Sequence, residues 1–277
     1  MLNISAADVV VDPYPHIVSD SMLDPAIFAR LRADYPDADL FAENAADTGS
    51  KGSRAGKETG FDIYRGDTSY DRLIARSAAW SEFDAWINSR AFVDRYQELF
   101  GPYARDIGIS VDIARSSYDR GYVEPRDVLT ATETMGEKIA GLTHRLTRPM
   151  RMGQPTDLFS RLDITRSLGG YAKPPHCDRP NRLCSLIIYF TDADEVGLEG
   201  GDLLVFKAKK PGPIERAPRH PHPHEVEIVA QLRPKANRGV FFPCCNNSYH
   251  GVTAVTSKGV PRDFLYINIS GRSASLW

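Results

Sequence analysis

Three residue types in two short stretches carry the first hint of chemistry. Tyr171-Ala-Lys-Pro-Pro-His176-Cys-Asp178 holds a His-x-Asp triplet, and Ser248-Tyr-His250-Gly-Val supplies a second histidine much later. Two imidazoles and a carboxylate on one face of a metal form a facial triad. Such a triad leaves three adjacent positions open, enough for a chelating acid and O2 on non-haem iron(II). His176 and Asp178, two residues apart, can reach one ion from an extended segment, because alternate side chains share a face. His250 must then arrive on another strand. His-x-Asp alone is weak, since a loop histidine and a core histidine would read the same way.

Further residues strengthen the pattern. Gly200-Gly201-Asp202-Leu-Leu-Val-Phe places two glycines, which permit close backbone approach, before an apolar strand. Arg262 heads the apolar run Asp263-Phe-Leu-Tyr-Ile-Asn-Ile, twelve residues after His250. A buried arginine there could clamp a dicarboxylate through its planar fork. Tyr189 ends the strand that follows His-x-Asp and could offer its hydroxyl to the same carboxylate. Arg166, ten residues before His176, is placed on the first core strand with its side chain towards the co-substrate or substrate. Asn247 and Ser248 are candidates for orienting His250 by hydrogen bonding.

Elements that could position these groups are legible in outline. Residues 1–155 read as helical and irregular support, and residues 156–277 as the β-rich catalytic core of one integrated domain. Asp12-Pro-Tyr-Pro-His is an extended entry. Asp24 caps a helix with Pro25 in its first turn, and Leu23, Ile27, Phe28 and Leu31 form its apolar stripe. Residues 43–60 read as a polar loop, 70–100 as helical, 107–114 as a strand and 130–148 as another helix. Strands are expected near 161–168, 183–190, 203–206, 225–232, 240–242, 249–255 and 264–269. Many short strands separated by Gly, Pro and Asn indicate an antiparallel sandwich or barrel. Residues 207–223 read as an exposed excursion, and His220, His222 and His224, alternating with prolines, as a solvated loop.

Taken together, residues 161–270 resemble the 2-oxoglutarate/iron(II) dioxygenase superfamily, particularly its prolyl-4-hydroxylase-like branch. The resemblance is carried by His176-Cys-Asp178, Leu186-Ile-Ile-Tyr189, Gly200-Gly201-Asp202-Leu203, His250-Gly-Val252 and Arg262. It implies a mainly β fold with flanking helices around a double-stranded β-helix, or jelly-roll, core. It also implies Fe(II) on His176, Asp178 and His250, and 2-oxoglutarate with its far carboxylate on Arg262, assisted by Tyr189. O2 is the second co-substrate and ascorbate a candidate reductant. Halogenases of the superfamily have a small residue where Asp178 stands, so the resemblance implies hydroxylation. A cupin-like metal-binding isomerase or sensor is the alternative, and it would not need Arg262.

The bulk numbers set the setting. The 277 residues are 42% hydrophobic and 25% charged, enough for a sizeable core, with a formal net charge of −2. That charge gives no reason to expect nucleic acid as a partner. No run of eighteen apolar residues occurs and the first residues lack a leader pattern, so the expected location is the cytoplasm. Cys177, Cys184, Cys244 and Cys245 are read as reduced thiols. The expected partner is a small molecule such as an amino acid, an acidic sugar or a carrier-tethered intermediate. It would be contacted by the N-terminal part, by the loop of residues 43–60, and by Arg179, Asn181 and Arg182.

Overall fold

A computed structural model describes residues 1–48, 60–125, 152–210, 212 and 217–277. Its centre is two sheets face to face. The larger has strand order β1-β9-β6-β11-β4-β2, with β3 parallel to β4; the smaller has order β5-β10-β7-β8. In chain order the strands are β1 (Ile17–Ser19), β2 (Gly60–Tyr64), β3 (Ser117–Tyr118), β4 (Asp157–Ser167), β5 (Lys173–His176), β6 (Arg182–Tyr189), β7 (Leu203–Ala208), β8 (Val226–Leu232), β9 (Gly239–Pro243), β10 (His250–Val252) and β11 (Arg262–Gly271). This is the mainly β, jelly-roll core expected from the sequence, and the seven expected strands are all present.

Pattern explains position. β6 and β11 are buried along their whole length because both faces are covered, which is why they read as continuous apolar runs. One face of β11 sends Leu265, Ile267 and Ile269 into a core shared with the N-terminal helices. The other sends Phe264 and Tyr266 between the sheets, where they meet Ile187, Tyr189, Leu203, Val205 and Phe242.

Among the described residues, five helices of nine to eleven residues cover the outer face: α1 (Pro25–Ala33), α2 (Ala38–Thr48), α3 (Thr68–Arg76), α4 (Ala78–Ile87) and α5 (Arg90–Phe100). A short α6 (Ala193–Val196) follows β6. Asp24 caps α1 as expected, its carboxylate accepting from the amides of Ala26 (2.9 Å) and Ile27 (3.2 Å). On α5, Phe92, Tyr96 and Phe100 recur at helical spacing and all three rings pack on Phe241 of β9. Among the described residues, no helix is long and apolar enough to cross a membrane.

Three expectations need correction or fall elsewhere. Residues 107–114 form turns with a single bridge from Val111 to Gln154, not a strand. Ile107, Ile109 and Ile113 are buried against the helical core, so their alternation reports burial and not pairing. Residues 43–48 are the last turns of α2 and not loop, because Leu40, Phe41 and Asn44 turn one face inward. The rest of that expected loop to residue 59, and the helix expected over 130–148, lie outside the described residues.

Candidate active site

The two distant stretches meet. His176 ends β5, His250 opens β10, and the two residues face each other across the β5–β10 ladder. Asp178 follows β5 by two residues. One ligand atom from each of His176, Asp178 and His250 lies within 4.8 Å of the others, and among the described residues this is the single cluster of that kind.

Each imidazole is aimed by the same device. Nδ1 of His176 lies 2.9 Å from the carbonyl of Pro174, and Nδ1 of His250 lies 3.0 Å from the carbonyl of Ser248. With Nδ1 as donor, Nε2 of each ring presents a lone pair to the shared space. Removal from water, and then repulsion by His250, push His176 down to about 3, so its ring stays neutral. Burial works against ionised Asp178. The neighbouring His250, Arg182, His176 and the Ser185 hydroxyl outweigh it and hold the carboxyl well below the usual range.

Asp178 is itself supported. Oγ of Ser185 donates to it at 2.6 Å and Nη1 of Arg182 at 3.2 Å. Arg182 also donates to the hydroxyl of Tyr266, which lies 3.2 Å from Ser185 Oγ. Arg182, expected at the substrate, is therefore committed to the carboxylate. Ser248 orients His250 through its carbonyl; its hydroxyl donates to the carbonyl of Cys245.

Arg262 is the second feature. It is 1% exposed, and among the described residues no carboxylate pairs with it. Its Nε donates to the carbonyl of Gly201 (2.7 Å) and Nη2 to the hydroxyl of Tyr189 (2.9 Å), while Nη1 is buried with no partner. The guanidinium carbon lies 4.3 Å from the centre of the Phe264 ring. A side chain on Gly201 would stand 2.8 Å from Arg262 Cδ, and one on Gly200 would stand 1.8 Å from the carbonyl of Ala254; both glycines have positive φ. The double glycine is what lets the strand start pass this closely.

Arg166 is a correction. On β4 it pairs with Asp263, and both face the helical side with Ile164 and Leu265. Its guanidinium makes two bonds to Asp263 (2.8 and 2.7 Å) over the ring of Phe41. The period-two alternation that carries Arg262 inward carries Arg166 outward.

Several contributors escaped the sequence reading. Ser185 was detectable as the one serine in the apolar run of β6, and Tyr266 as a polar-tipped ring in β11. The segment after residue 216 borders the site: Arg219 donates to the carbonyl of Asp178 (3.1 Å) and the His220 ring lies 6.4 Å from His176, nearly parallel. His220, exposed as expected of a solvated loop, thus stands beside His176. All four cysteines are free and buried, as expected.

A jelly-roll sandwich that brings ligand atoms of two histidines and an aspartate within 4.8 Å of one another, with a buried guanidinium on an inward face, has the donor set of non-haem iron oxygenases. Residues 162–269 match the family model of the 2OG-Fe(II) oxygenase superfamily. That family's chemistry uses Fe(II), 2-oxoglutarate and O2, and the donor set present fits them: two imidazoles, an ionised carboxylate and an orphaned guanidinium nitrogen.

Among solved structures, the chain is similar to an oxidoreductase of the 2OG-Fe(II) oxygenase family from Burkholderia pseudomallei, with 19% identity, 53% of this chain covered and a TM-score of 0.29. The match spans 65% of that protein's length. A prolyl-4-hydroxylase from Pseudomonas putida gives 14% identity over 90% of this chain and 98% of that one, TM-score 0.36. Prolyl 4-hydroxylase from Phytophthora capsici gives 13% over 93% and 59%, TM-score 0.41. These likenesses are remote; the assignment rests on the family model and the site. No curated protein matches in sequence.

Proposed function

We propose that the protein hydroxylates an unactivated C–H bond of a small polar or acidic molecule, converting 2-oxoglutarate to succinate and CO2. His176, Asp178 and His250 would hold the iron, and Arg262 with Tyr189 the far carboxylate of 2-oxoglutarate. We place residues 156–277 as the catalytic core and the chain in the prolyl-4-hydroxylase-like branch. The observation that carries the reading is Arg262 Nη1, buried and unpartnered among the described residues, in the same inter-sheet space as the triad. A buried guanidinium without a counter-anion is costly, so a carboxylate ligand is its natural complement.

Bound iron and keto acid supply the oxidising chemistry. The chain's part is to bind and orient. Pro174 and Ser248 fix the imidazoles through their carbonyls, and Ser185 and Arg182 fix Asp178. Tyr189, which already accepts from Arg262, keeps its own proton to donate to the same carboxylate. Phe264, Tyr189, Leu203, Val205 and Val252 line the apolar space around them and exclude water. Asp178 occupies the position that halide would need, which supports hydroxylation over halogenation.

The test is anaerobic. Fe(II) and 2-oxoglutarate added to the purified protein should give a visible charge-transfer band, and admitting O2 should give succinate. Iron binding with no band dependent on 2-oxoglutarate would sink the proposal in favour of a cupin-like role.

A further inference from the structure

Inward positions on β11 run Arg262, Phe264, Tyr266, Asn268 and Ser270, because alternate residues share a face. They form a sequence of layers. Arg262 and Tyr189 make the keto-acid end. Tyr266 touches Arg182 and Ser185, the two side chains that hold Asp178. Asn268 comes next. It lies directly across from Ser185 on β6 and from Arg161 on β4, so its Cβ stands about 5 Å from each of theirs.

Asn268 is fully buried, and neither its amide nitrogen nor its amide oxygen has a hydrogen-bond partner among the described residues. The hydroxyl of Ser270, 1% exposed and next on the same face, is likewise unpartnered. A primary amide offers two donors and an acceptor, and folded interiors satisfy nearly all such groups. Leucine would serve the fold better there, since removing an unsatisfied polar group is neutral or favourable. Two adjacent orphaned groups, one layer past the support of Asp178, are what a recognition site for another molecule's polar atoms requires.

The charges nearby limit what that molecule is. Arg161, 5% exposed, donates to Asp163 at 2.5 Å, pairs with Glu124 at 3.4 Å and lies over the Tyr64 ring. Arg182 pairs with Asp178. Both guanidinium groups beside Asn268 are therefore engaged by carboxylates of the chain. An anionic group would compete with those carboxylates for them; a neutral group would not.

We infer that Asn268 and Ser270 form the substrate-recognition site beyond the metal layer from Arg262, taking a neutral group with an acceptor beside a donor, of which a primary carboxamide is the simplest. This rests on the oxygenase reading and narrows its substrate from polar or acidic to neutral. A site built to pair an amide rejects an analogue that leaves it unpaired.

The probe is butyramide against butyrate and 2-pentanone, added to protein loaded with Mn(II) and 2-oxoglutarate. Bound Mn(II) should speed the proton relaxation of butyramide, with affinity about tenfold above butyrate and falling about tenfold in Asn268→Leu, the loss of one good hydrogen-bonded group. Asn268→Leu keeps the branched outline but enlarges the side chain, so its melting temperature and calorimetric 2-oxoglutarate binding serve as its folding controls. Asn268→Asp, which keeps the shape and exchanges the donor for a charge, should lose the preference for the amide. Equal butyramide relaxation in wild type and Asn268→Leu overturns the inference. So does a crystal structure in which ordered water alone satisfies Asn268 in the presence of butyramide. Failure of 2-oxoglutarate to bind wild type would strike the oxygenase reading instead, and the butyramide contrast would still be read against Mn(II) alone.

Discussion

Arg262 and Asp263 are neighbours in sequence, yet they belong to two opposed environments. Arg262 turns between the sheets, where its guanidinium meets a tyrosine hydroxyl, a backbone carbonyl and aromatic rings, and one nitrogen meets nothing. Asp263 turns to the helical side, where Arg166 answers it with two bonds. The outer face is packed aliphatics and rings around a matched ion pair. The inner face carries polar groups whose needs the chain itself leaves unmet. A buried cation without an anion is the costliest of unmet groups, so the face that carries the Arg262 guanidinium is the face expected to bind one. The same contrast separates structural from functional arginines, which composition cannot do.

The sharpest way to break this comparison is to remove Asp178. Asp178→Ala should abolish tight iron binding, because a facial site loses its one anionic ligand. Iron content after loading and dialysis reads the result; stoichiometric retention of iron would show that the triad is not the centre. The next largest effect belongs to Arg262. Arg262→Leu should weaken 2-oxoglutarate by about 2–4 kcal/mol, the range for losing one partner of a buried charged hydrogen-bonded pair, with iron affinity preserved. Calorimetry on Mn(II)-loaded protein separates the two, and an unchanged affinity for 2-oxoglutarate would assign its carboxylate elsewhere.

On the outer face, Arg166→Leu should leave 2-oxoglutarate affinity alone and cost stability, about 2–3 kcal/mol for a pair that is mostly but not wholly buried. Desolvation already raises the pKa of Asp263, and Arg166 pulls against that rise. Without Arg166 the folded-state value climbs further above the unfolded value of about 3.9. A raised carboxyl binds protons more tightly in the folded state. Stability is then present at low pH and lost as pH rises through the folded pKa. Denaturation midpoints across pH 4–8 should show the deficit of Arg166→Leu widening with pH relative to wild type. A constant deficit would mean that the ion pair contributes little.

The sequence revealed the inner face more readily than its limits. His176, Asp178, His250, Gly200-Gly201 and Arg262 were legible because chemistry restricts their types and order. The helices of residues 70–100 and the seven core strands were legible from period. Arg166 was misplaced because its side depends on strand register, and a shift of one residue reverses every side chain. Residues 107–114 were misread because isoleucines alternate there for burial in turns. Asn268 escaped notice for a different reason: a polar residue in an apolar strand reads as a solvent-facing alternate until both faces are known to be covered.

The finest test of the contrast is Tyr189→Phe. The hydroxyl accepts from Arg262 Nη2 at 2.9 Å and has no other partner among the described residues. Burial raises the pKa of Tyr189 and nearby Arg262 lowers it, with the rise prevailing, so the phenol keeps its proton as a donor. If the proton goes to the keto acid, its removal should weaken 2-oxoglutarate by about 1 kcal/mol, the net worth of one hydrogen bond. Arg262 would keep its bond to Gly201 and remain in place, so the effect should be several times smaller than that of Arg262→Leu. The double variant should lose less than the sum of the two, because both substitutions remove parts of one network. Strict additivity would show that Tyr189 only packs against Arg262, and that the inner face recognises the carboxylate through the guanidinium alone.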